Sequence, residues 1–330
     1  MKFTHLAEKS LSGDALTHDE ALAVLATPPE DILELLQAAF TVRQRYFGRK
    51  VYLHLLVNAK SGLCTEDCSY CSQSAVSQAG INRYRLLDDA ELLLGAREAR
   101  QARARRYCIV TSGLRAEPAE MDSLCRVARR IGEEVGIDVC VSAGLLEQQD
   151  AERLREAGVK RYNHNLNTSE RFYSHICTTH TYHDRVNTLV HARRAGLELC
   201  CGALFGLGED DSDRLELAMA LREMRPDSIP VNFFHPIEGT LIEQTRGSAL
   251  RENGLNPVKC LAVLCLMRLL NPTAELRVAG GREYHLRSLQ PLAFYPANSI
   301  FVGGYLTVSG QPPGEAWRMV EDAGFEVVEE

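Results

Sequence analysis

No apolar run reaches the length, about 18 residues or more, that a membrane-spanning helix needs. Nor is there an excess of positive charge: 37 Lys and Arg against 44 Asp and Glu leave a net charge of −7. That balance argues against a basic, phosphate-binding surface, so no nucleic-acid partner is expected. The opening stretch, MKFTHLAEKSLSGDALTHDE, lacks the basic-then-apolar pattern of a secretory leader, which predicts a cytoplasmic protein with no membrane partner. Low-complexity linkers are missing too. With 45% hydrophobic and 25% charged residues, the chain reads as a globular protein with a sizeable core.

Cysteine is what the chain has in quantity. Eleven of them, at 64, 68, 71, 108, 125, 140, 177, 200, 201, 260 and 265, make an odd number in a large chain. That argues against a disulfide framework and for metal binding, redox chemistry or packing. Cys125, Cys260 and Cys265 sit within helix-like apolar periodicity and are expected to fill the core. Cys64, Cys68 and Cys71, in SGLCTEDCSYCSQS, follow C-x3-C-x2-C with no fourth cysteine close by. Three thiolates on a short loop can hold three corners of a cuboidal iron–sulfur cluster and leave one iron open. The competing reading of that spacing is zinc, completed by another His or Cys or by water.

Thr17-His-Asp-Glu20 and Thr27-Pro-Pro-Glu30 both have capping-box form, so residues 14–47 are predicted to be helical. Thereafter short strand-like runs alternate with longer helical ones. Strands are predicted over 51–58, 107–113, 139–144, 162–168, 197–206, 228–234, 275–280 and 298–304. Amphipathic helices are predicted over 88–105, 118–135, 146–157, 183–195, 210–225 and 257–270, with further helix near 282–290 and 314–323. Eight alternations predict an α/β fold, a (β/α)8 TIM-type barrel; an open doubly wound sheet is the alternative. The expected division is a helical extension over 1–48, the barrel over 49–310, and a C-terminal helix and tail packed on it over 311–330. The cysteine loop then follows the first strand, at the face where barrels build active sites.

Cys108, Cys140 and Cys200 lie at matching depths in three predicted strands, and would meet in the barrel lumen if they face inward. Period-two alternation puts Arg106 on the face of Cys108 and Arg277 with Glu275 and Ala279. It makes Asn163, Asn165 and Asn167 one polar column, with His164 turned away. Asn232 is a further polar residue in an apolar strand. A buried Arg277 needs an anionic partner, and a sulfide-rich cluster would be one.

The C-x3-C-x2-C motif with Tyr70 before its last cysteine resembles the radical S-adenosylmethionine superfamily. Further stretches, YNHNLNTSERFY, TTHTYHDRVNTL, CCGALFGLGE, NPTAELRVAGGRE and ANSIFVGGYLT, extend a resemblance to the biotin synthase family over most of the chain. The resemblance implies that Cys64, Cys68 and Cys71 hold a 4Fe-4S cluster whose open iron binds S-adenosylmethionine. Reductive cleavage of that cofactor would give a 5′-deoxyadenosyl radical. Cys108, Cys140, Cys200 and Arg277 would ligate an auxiliary 2Fe-2S cluster, the sulfur donor in converting dethiobiotin to biotin. Tyr70, Asn165, Asn167, Arg185 and Leu204 would contact S-adenosylmethionine, and Asn163, Asn165 and Asn232 would lie near dethiobiotin. Implied partners are an electron donor such as flavodoxin or ferredoxin, iron–sulfur assembly proteins and a second copy in a homodimer. His164, His180 and His183 are expected to be ordinary structural or surface residues.

Two positions depart from the family pattern. Asn167 stands where Asp is common, which puts the ribose contact in doubt, since an amide accepts hydroxyls less strongly than a carboxylate. Cys201 follows Cys200 where a small residue is common. Alternation favours Cys200 as the inward one, but a bulge would make Cys201 a fourth thiolate and allow a larger auxiliary cluster. Two other functions compete: a hydrogenase-maturase-like radical barrel without sulfur donation, and a non-catalytic metal-binding sensor. The strand cysteines speak against both.

Overall fold

A computed structural model describes residues 2–252 and 255–328. Its strands are β1 (Lys50–Lys60), β2 (Arg106–Thr111), β3 (Asp138–Ser142), β4 (Arg161–Asn163), β5 (Glu198–Cys200), β6 (Ala203–Phe205), β7 (Ser228–Phe233), β8 (Glu275–Val278) and β9 (Ser299–Phe301). All pair in parallel, in the order β1-β2-β3-β4-β5-β7-β8-β9, and β9 returns to β1 to close the barrel. β6 continues the stave of β5 and pairs with β7, so the ring has eight staves. The predicted barrel is the observed one.

Alternation builds the outer core. Tyr107, Ile109, Val139, Val141, Tyr162, Leu199, Ile229, Val231, Leu276, Val278 and Ile300 are buried between the strands and the surrounding helices. Their neighbours one position away face the lumen. The fifth stave breaks at Gly202 because the backbone of β7 comes very close: a Cβ at Gly202 would lie 1.9 Å from the carbonyl oxygen of Pro230.

The N-terminal segment forms helices Thr4–Ser12, His18–Leu25 and Ile32–Phe47; the sequence reading began its helices only at residue 14. Thr17 and Glu20 make the reciprocal capping box expected of them. Thr27 does not: its hydroxyl donates to the carbonyl of Val24 (2.8 Å) and so finishes the preceding helix, while Pro28 and Pro29 open a single 3-10 turn. The predicted amphipathic helix over 257–270 is instead buried on every side from Cys260 to Leu270. The N-terminal helices lie over its outer face, and Ser10 anchors there by donating to the carbonyl of Leu269 (2.6 Å). Helix Leu241–Glu252 and the short helix Glu170–Tyr173 are additional to the predicted helices.

Beyond β9, a hairpin of β10 (Gly304–Tyr305) and β11 (Val308–Ser309) is followed by helix Pro313–Asp322 and by β12 (Glu326–Val328). β12 pairs in parallel with Lys50–Tyr52 of β1. The tail is therefore a strand added to the barrel's amino end, more than a packed appendage.

Candidate active site

The loop after β1 carries Cys64, Cys68 and Cys71. Its stem is a two-way bridge between Ser61 and Tyr84 (both N–H···O 3.0 Å), and its tip turns where the N–H of Cys71 bonds to the carbonyl of Cys68 (3.1 Å). Two tethers fix the middle: the N–H of Ser69 donates to the carbonyl of Ile176 (2.9 Å), and the carbonyl of Ser69 accepts from Ile242 (3.0 Å). Burial raises the thiols of Cys64 and Cys71, the latter to about 11. Without a metal these thiols hold their protons, so ligation must release them.

A cavity of about 490 Å³ opens at the carboxyl ends of the strands. Its lining includes the three loop cysteines and, deeper, Cys108, Cys140, Cys200 and Arg277. Tyr70, Asn163, Asn165, Asn167, Arg185, Leu204 and Asn232 line it too. Cys201 does not. It lies fully buried in the outer core, with its thiol raised to about 12 by burial. The break in the stave occurs after Cys200, so no bulge turns Cys201 inward, and the four-thiolate alternative is corrected on that ground.

Cys108 and Cys140 are register partners across β2 and β3, and Cys200 is paired with Asn163 of β4. The two thiols act on each other, which holds Cys108 below and Cys140 above the ordinary thiol range. Arg277 points its Nη1 at the sulfur of Cys200 (3.7 Å). Two residues earlier on each strand comes a charge: Arg106, Asp138, Arg161, Glu198 and Glu275. Glu275 is the hub of this lower tier, its Oε2 meeting Arg106 (3.3 Å) and Arg161 (3.0 Å) and its Oε1 meeting Arg277 (2.5 Å) and His54 (2.8 Å). The anionic partner that Arg277 requires is thus a carboxylate of its own strand. Burial opposes charge on Arg277, but Glu275 and the neighbouring thiols of Cys200 and Cys108 together raise its pKa.

The asparagine column holds only at its base. β4 ends at Asn163, and Asn167 takes a left-handed backbone (φ 71°), a conformation Asn tolerates well. The Nδ2 of Asn167 donates to the hydroxyl of Tyr70 (2.6 Å), and the Oδ1 of Asn165 accepts from Gly202 (3.0 Å). Asn232 is held by backbone: its Nδ2 donates to Ala203 (3.0 Å) and its Oδ1 accepts from Gly280 (2.9 Å). Arg185 donates to the carbonyl of Asn165 (2.8 Å), to the Nε2 of His180 (2.9 Å) and to the hydroxyl of Tyr173. Glu209, last residue of the glycine-rich stretch, receives the N–H of Gly206 (2.9 Å) and of Leu207 (2.7 Å), so it shapes the turn.

A family model described as the Radical SAM superfamily matches residues 60–221, and one described as the Biotin and Thiamin Synthesis associated domain matches residues 230–326. The curated Biotin synthase of Bacillus licheniformis is 49% identical over 326 residues, 99% of this chain and 96% of its own length. The chain belongs to the biotin synthase family. Biotin synthase of Geobacillus kaustophilus is 50% identical over 322 residues, covering 98% of this chain and 95% of that one. The crystal structure of methylornithine synthase shares the fold, with a TM-score of 0.83 over 98% of this chain and 97% of that chain at 21% identity.

Within this biotin synthase family member the two matched segments do not form separate bodies. β2 to β6 come from the first, most of β7 together with β8 and β9 from the second, and β1 precedes both except for Lys60; only together do these strands close the barrel. The family's radical chemistry therefore has one lumen to work in.

Two of the histidines expected to be structural or surface residues are buried and line the cavity. His180 is buried at the cavity wall between Glu66 (2.7 Å), Cys177 (3.3 Å) and Arg185. His164 does turn to the side of Tyr162, on whose ring it stacks at 6.4 Å. It is nevertheless fully buried beside the cavity, and burial, with Arg185 and His180, holds it well below the usual histidine range. His183 is the exposed residue expected. Cys177, assigned no role from sequence, meets Cys68 at 3.7 Å. The hairpin of β10 and β11 also reaches the mouth, where Thr307 and Ser72 share a hydroxyl hydrogen bond (2.8 Å). Nothing in the linear sequence brings these segments together; they sit more than 100 residues apart.

Proposed function

We propose that this chain converts dethiobiotin to biotin by radical sulfur insertion, with an auxiliary iron–sulfur cluster as the sulfur donor. The observation that carries the reading is the lumen triad: Cys108, Cys140 and Cys200, with Arg277 beside them, line the same cavity as the loop cysteines. A sensor needs no such second set, and neither does a barrel that only generates a radical. The side chains suit an anionic sulfide cluster. The Nε of Arg277 is buried without a hydrogen-bond partner among the described residues, and so is the Nε of Arg106. Unpaired buried donors of that kind are costly unless something accepts from them.

Cys64, Cys68 and Cys71 would hold the 4Fe-4S cluster, and Cys108, Cys140, Cys200 and Arg277 the auxiliary 2Fe-2S cluster. Bound together, the first cluster and S-adenosylmethionine supply a 5′-deoxyadenosyl radical able to take hydrogen from unactivated carbon. Arg185, charged and held by three partners, would grip the methionyl carboxylate. Asn165, Asn167, Tyr70 and Leu204 would frame the nucleoside. Asn163, Asn165 and Asn232 would orient dethiobiotin so that its reacting carbons face the lumen. The hairpin at the mouth, whose Tyr305 lines the cavity beside Phe301, would keep water away from the radical. A flavodoxin or ferredoxin as reductant, iron–sulfur assembly proteins, a homodimer and a cytoplasmic setting complete the proposal. No helix among the described residues is long and apolar enough to cross a membrane.

The test is anaerobic reconstitution followed by iron and sulfide analysis and Mössbauer spectroscopy on the native chain and on Cys108→Ala. The native chain should give two cluster signals, and the variant should lose one. With dethiobiotin, S-adenosylmethionine and reductant, the variant should still release 5′-deoxyadenosine but form no biotin. A single cluster signal, unchanged by the substitution, would sink the sulfur-donor reading.

A further inference from the structure

Cys177 and His180 have no part in the reaction just described, yet both stand beside Cys68. The sulfurs of Cys68 and Cys177 are 3.7 Å apart, and the sulfur of Cys177 is 3.3 Å from the Nδ1 of His180. One ligand atom from each of the three residues lies within 4.8 Å of the others. The Oε2 of Glu66 adds a carboxylate at 2.7 Å from the same Nδ1. A tetrahedral zinc ion with bonds of about 2.3 Å to sulfur and about 2.0–2.1 Å to nitrogen sets a sulfur–sulfur edge of about 3.8 Å and a sulfur–nitrogen edge of about 3.6 Å. The observed edges are within a few tenths of an ångström of these.

The backbone already holds the donors in place. Ser69 is tied to Ile176 (2.9 Å), and Asp67 accepts from the N–H groups of Thr178 (2.9 Å) and Thr179 (3.2 Å). The two segments are therefore already apposed, and what must change for one ion to bind is the pair of hydrogen bonds on His180, from Nδ1 to Glu66 and from Arg185 to Nε2.

We propose that Cys68, Cys177 and His180 form a mononuclear tetrahedral site for a zinc-class divalent ion, its fourth position taken by water. On binding, the protons of the two thiols go to solvent. The imidazole stays neutral, its proton moving from Nδ1 to Nε2, so Arg185 must release Nε2. Cys68 cannot serve this ion and the loop cluster at once. A chain holding the ion is thus a cluster-free state that also disturbs Arg185. The competition rests on the cluster reading above; the ion site itself does not.

The probe is Co²⁺, added anaerobically to the full-length, cluster-free chain carrying Cys64→Ala and Cys71→Ala, with and without Cys177→Ser. The expected result is one more Co²⁺ bound when Cys177 is present. It should show sulfur-to-cobalt charge transfer in the near ultraviolet and tetrahedral bands in the visible. Cys177→Ser should weaken that ion's binding by more than the ~10–100-fold that loss of an outer hydrogen-bond partner costs. Identical spectra and affinity with and without Cys177 would overturn the site. In a second arm, the native chain is preloaded with Zn²⁺ before cluster reconstitution. Zinc should slow the rise of cluster absorbance in the native chain and not in Cys177→Ser. Co²⁺ binding in the first arm with no slowing in the second would overturn the competition and leave the ion site standing.

Discussion

Glu275→Gln removes a carboxylate that faces three guanidinium groups and an imidazole at the base of the lumen. The group is nearly inaccessible, its side chain only 7% exposed, and its oxygens lie 2.5–3.3 Å from Arg277, His54, Arg161 and Arg106. Removing one partner of a buried ion pair leaves the other charge uncompensated, which costs about 3–5 kcal/mol. At about 2.1 cal/mol/K per residue, 330 residues give an unfolding entropy near 0.7 kcal/mol/K, so the melting temperature should fall by roughly 4–7 °C. Glu198→Gln is the control. That side chain also meets Arg106 (3.1 Å) and Arg161 (2.8 Å), but it is 41% exposed, and water screens it to about 0–1 kcal/mol. The neighbouring charges hold the Glu275 carboxyl well below the ordinary range of 4.5 despite its burial. Its stabilisation is therefore complete above that ordinary value and is lost only as pH falls through the lower, folded-state pKa. The gap between native chain and variant should accordingly be constant from pH 5 to 8 in an anaerobic calorimetric scan. A drop below about 1 °C, or one no larger than that of Glu198→Gln, refutes the argument that Glu275 is the hub.

Arg185→Gln should weaken S-adenosylmethionine binding by about 10–100-fold through loss of a charged donor, read by equilibrium dialysis on the cluster-loaded chain. Gly202→Ala should abolish folding, because the added Cβ meets the Pro230 carbonyl at 1.9 Å; soluble yield and near-ultraviolet dichroism report it. His164, held well below 6.5 by burial, stays neutral in the folded chain while the unfolded chain takes up a proton. Stability should therefore be level above about pH 6.5 and fall by about 1.4 kcal/mol between pH 7.5 and 5.5 on this account, a loss that His164→Phe removes in urea titrations.

The alternation that exposed the fold also exposed the lumen. Where strands are regular, parity carried Cys108, Cys140, Cys200 and Arg277 to one face, and the same rule put a charged residue two positions before each member. Parity lost its authority where the backbone left the strand. Asn165 and Asn167 occupy a loop after Asn163, and their orientation comes from Gly202, Leu204 and Tyr70 rather than from period two. Helix 257–270 shows the same limit from another side. Its charged and polar positions suggested a solvent face, but the N-terminal helices cover it.

The sequence by itself determined the barrel, the loop triad and the lumen triad, while the placing of Cys201 in the outer core waited on the break after Cys200. The barrel and the two triads depend on local periodicity or on spacing along a single loop, and such signals are written in the chain. Only the tertiary structure decided which charge answers Arg277, that Glu66, Cys177 and His180 gather at Cys68, and that the hairpin after β9 reaches the cavity. Those are meetings between segments far apart in sequence. They are set by barrel closure and register, and no local pattern encodes them.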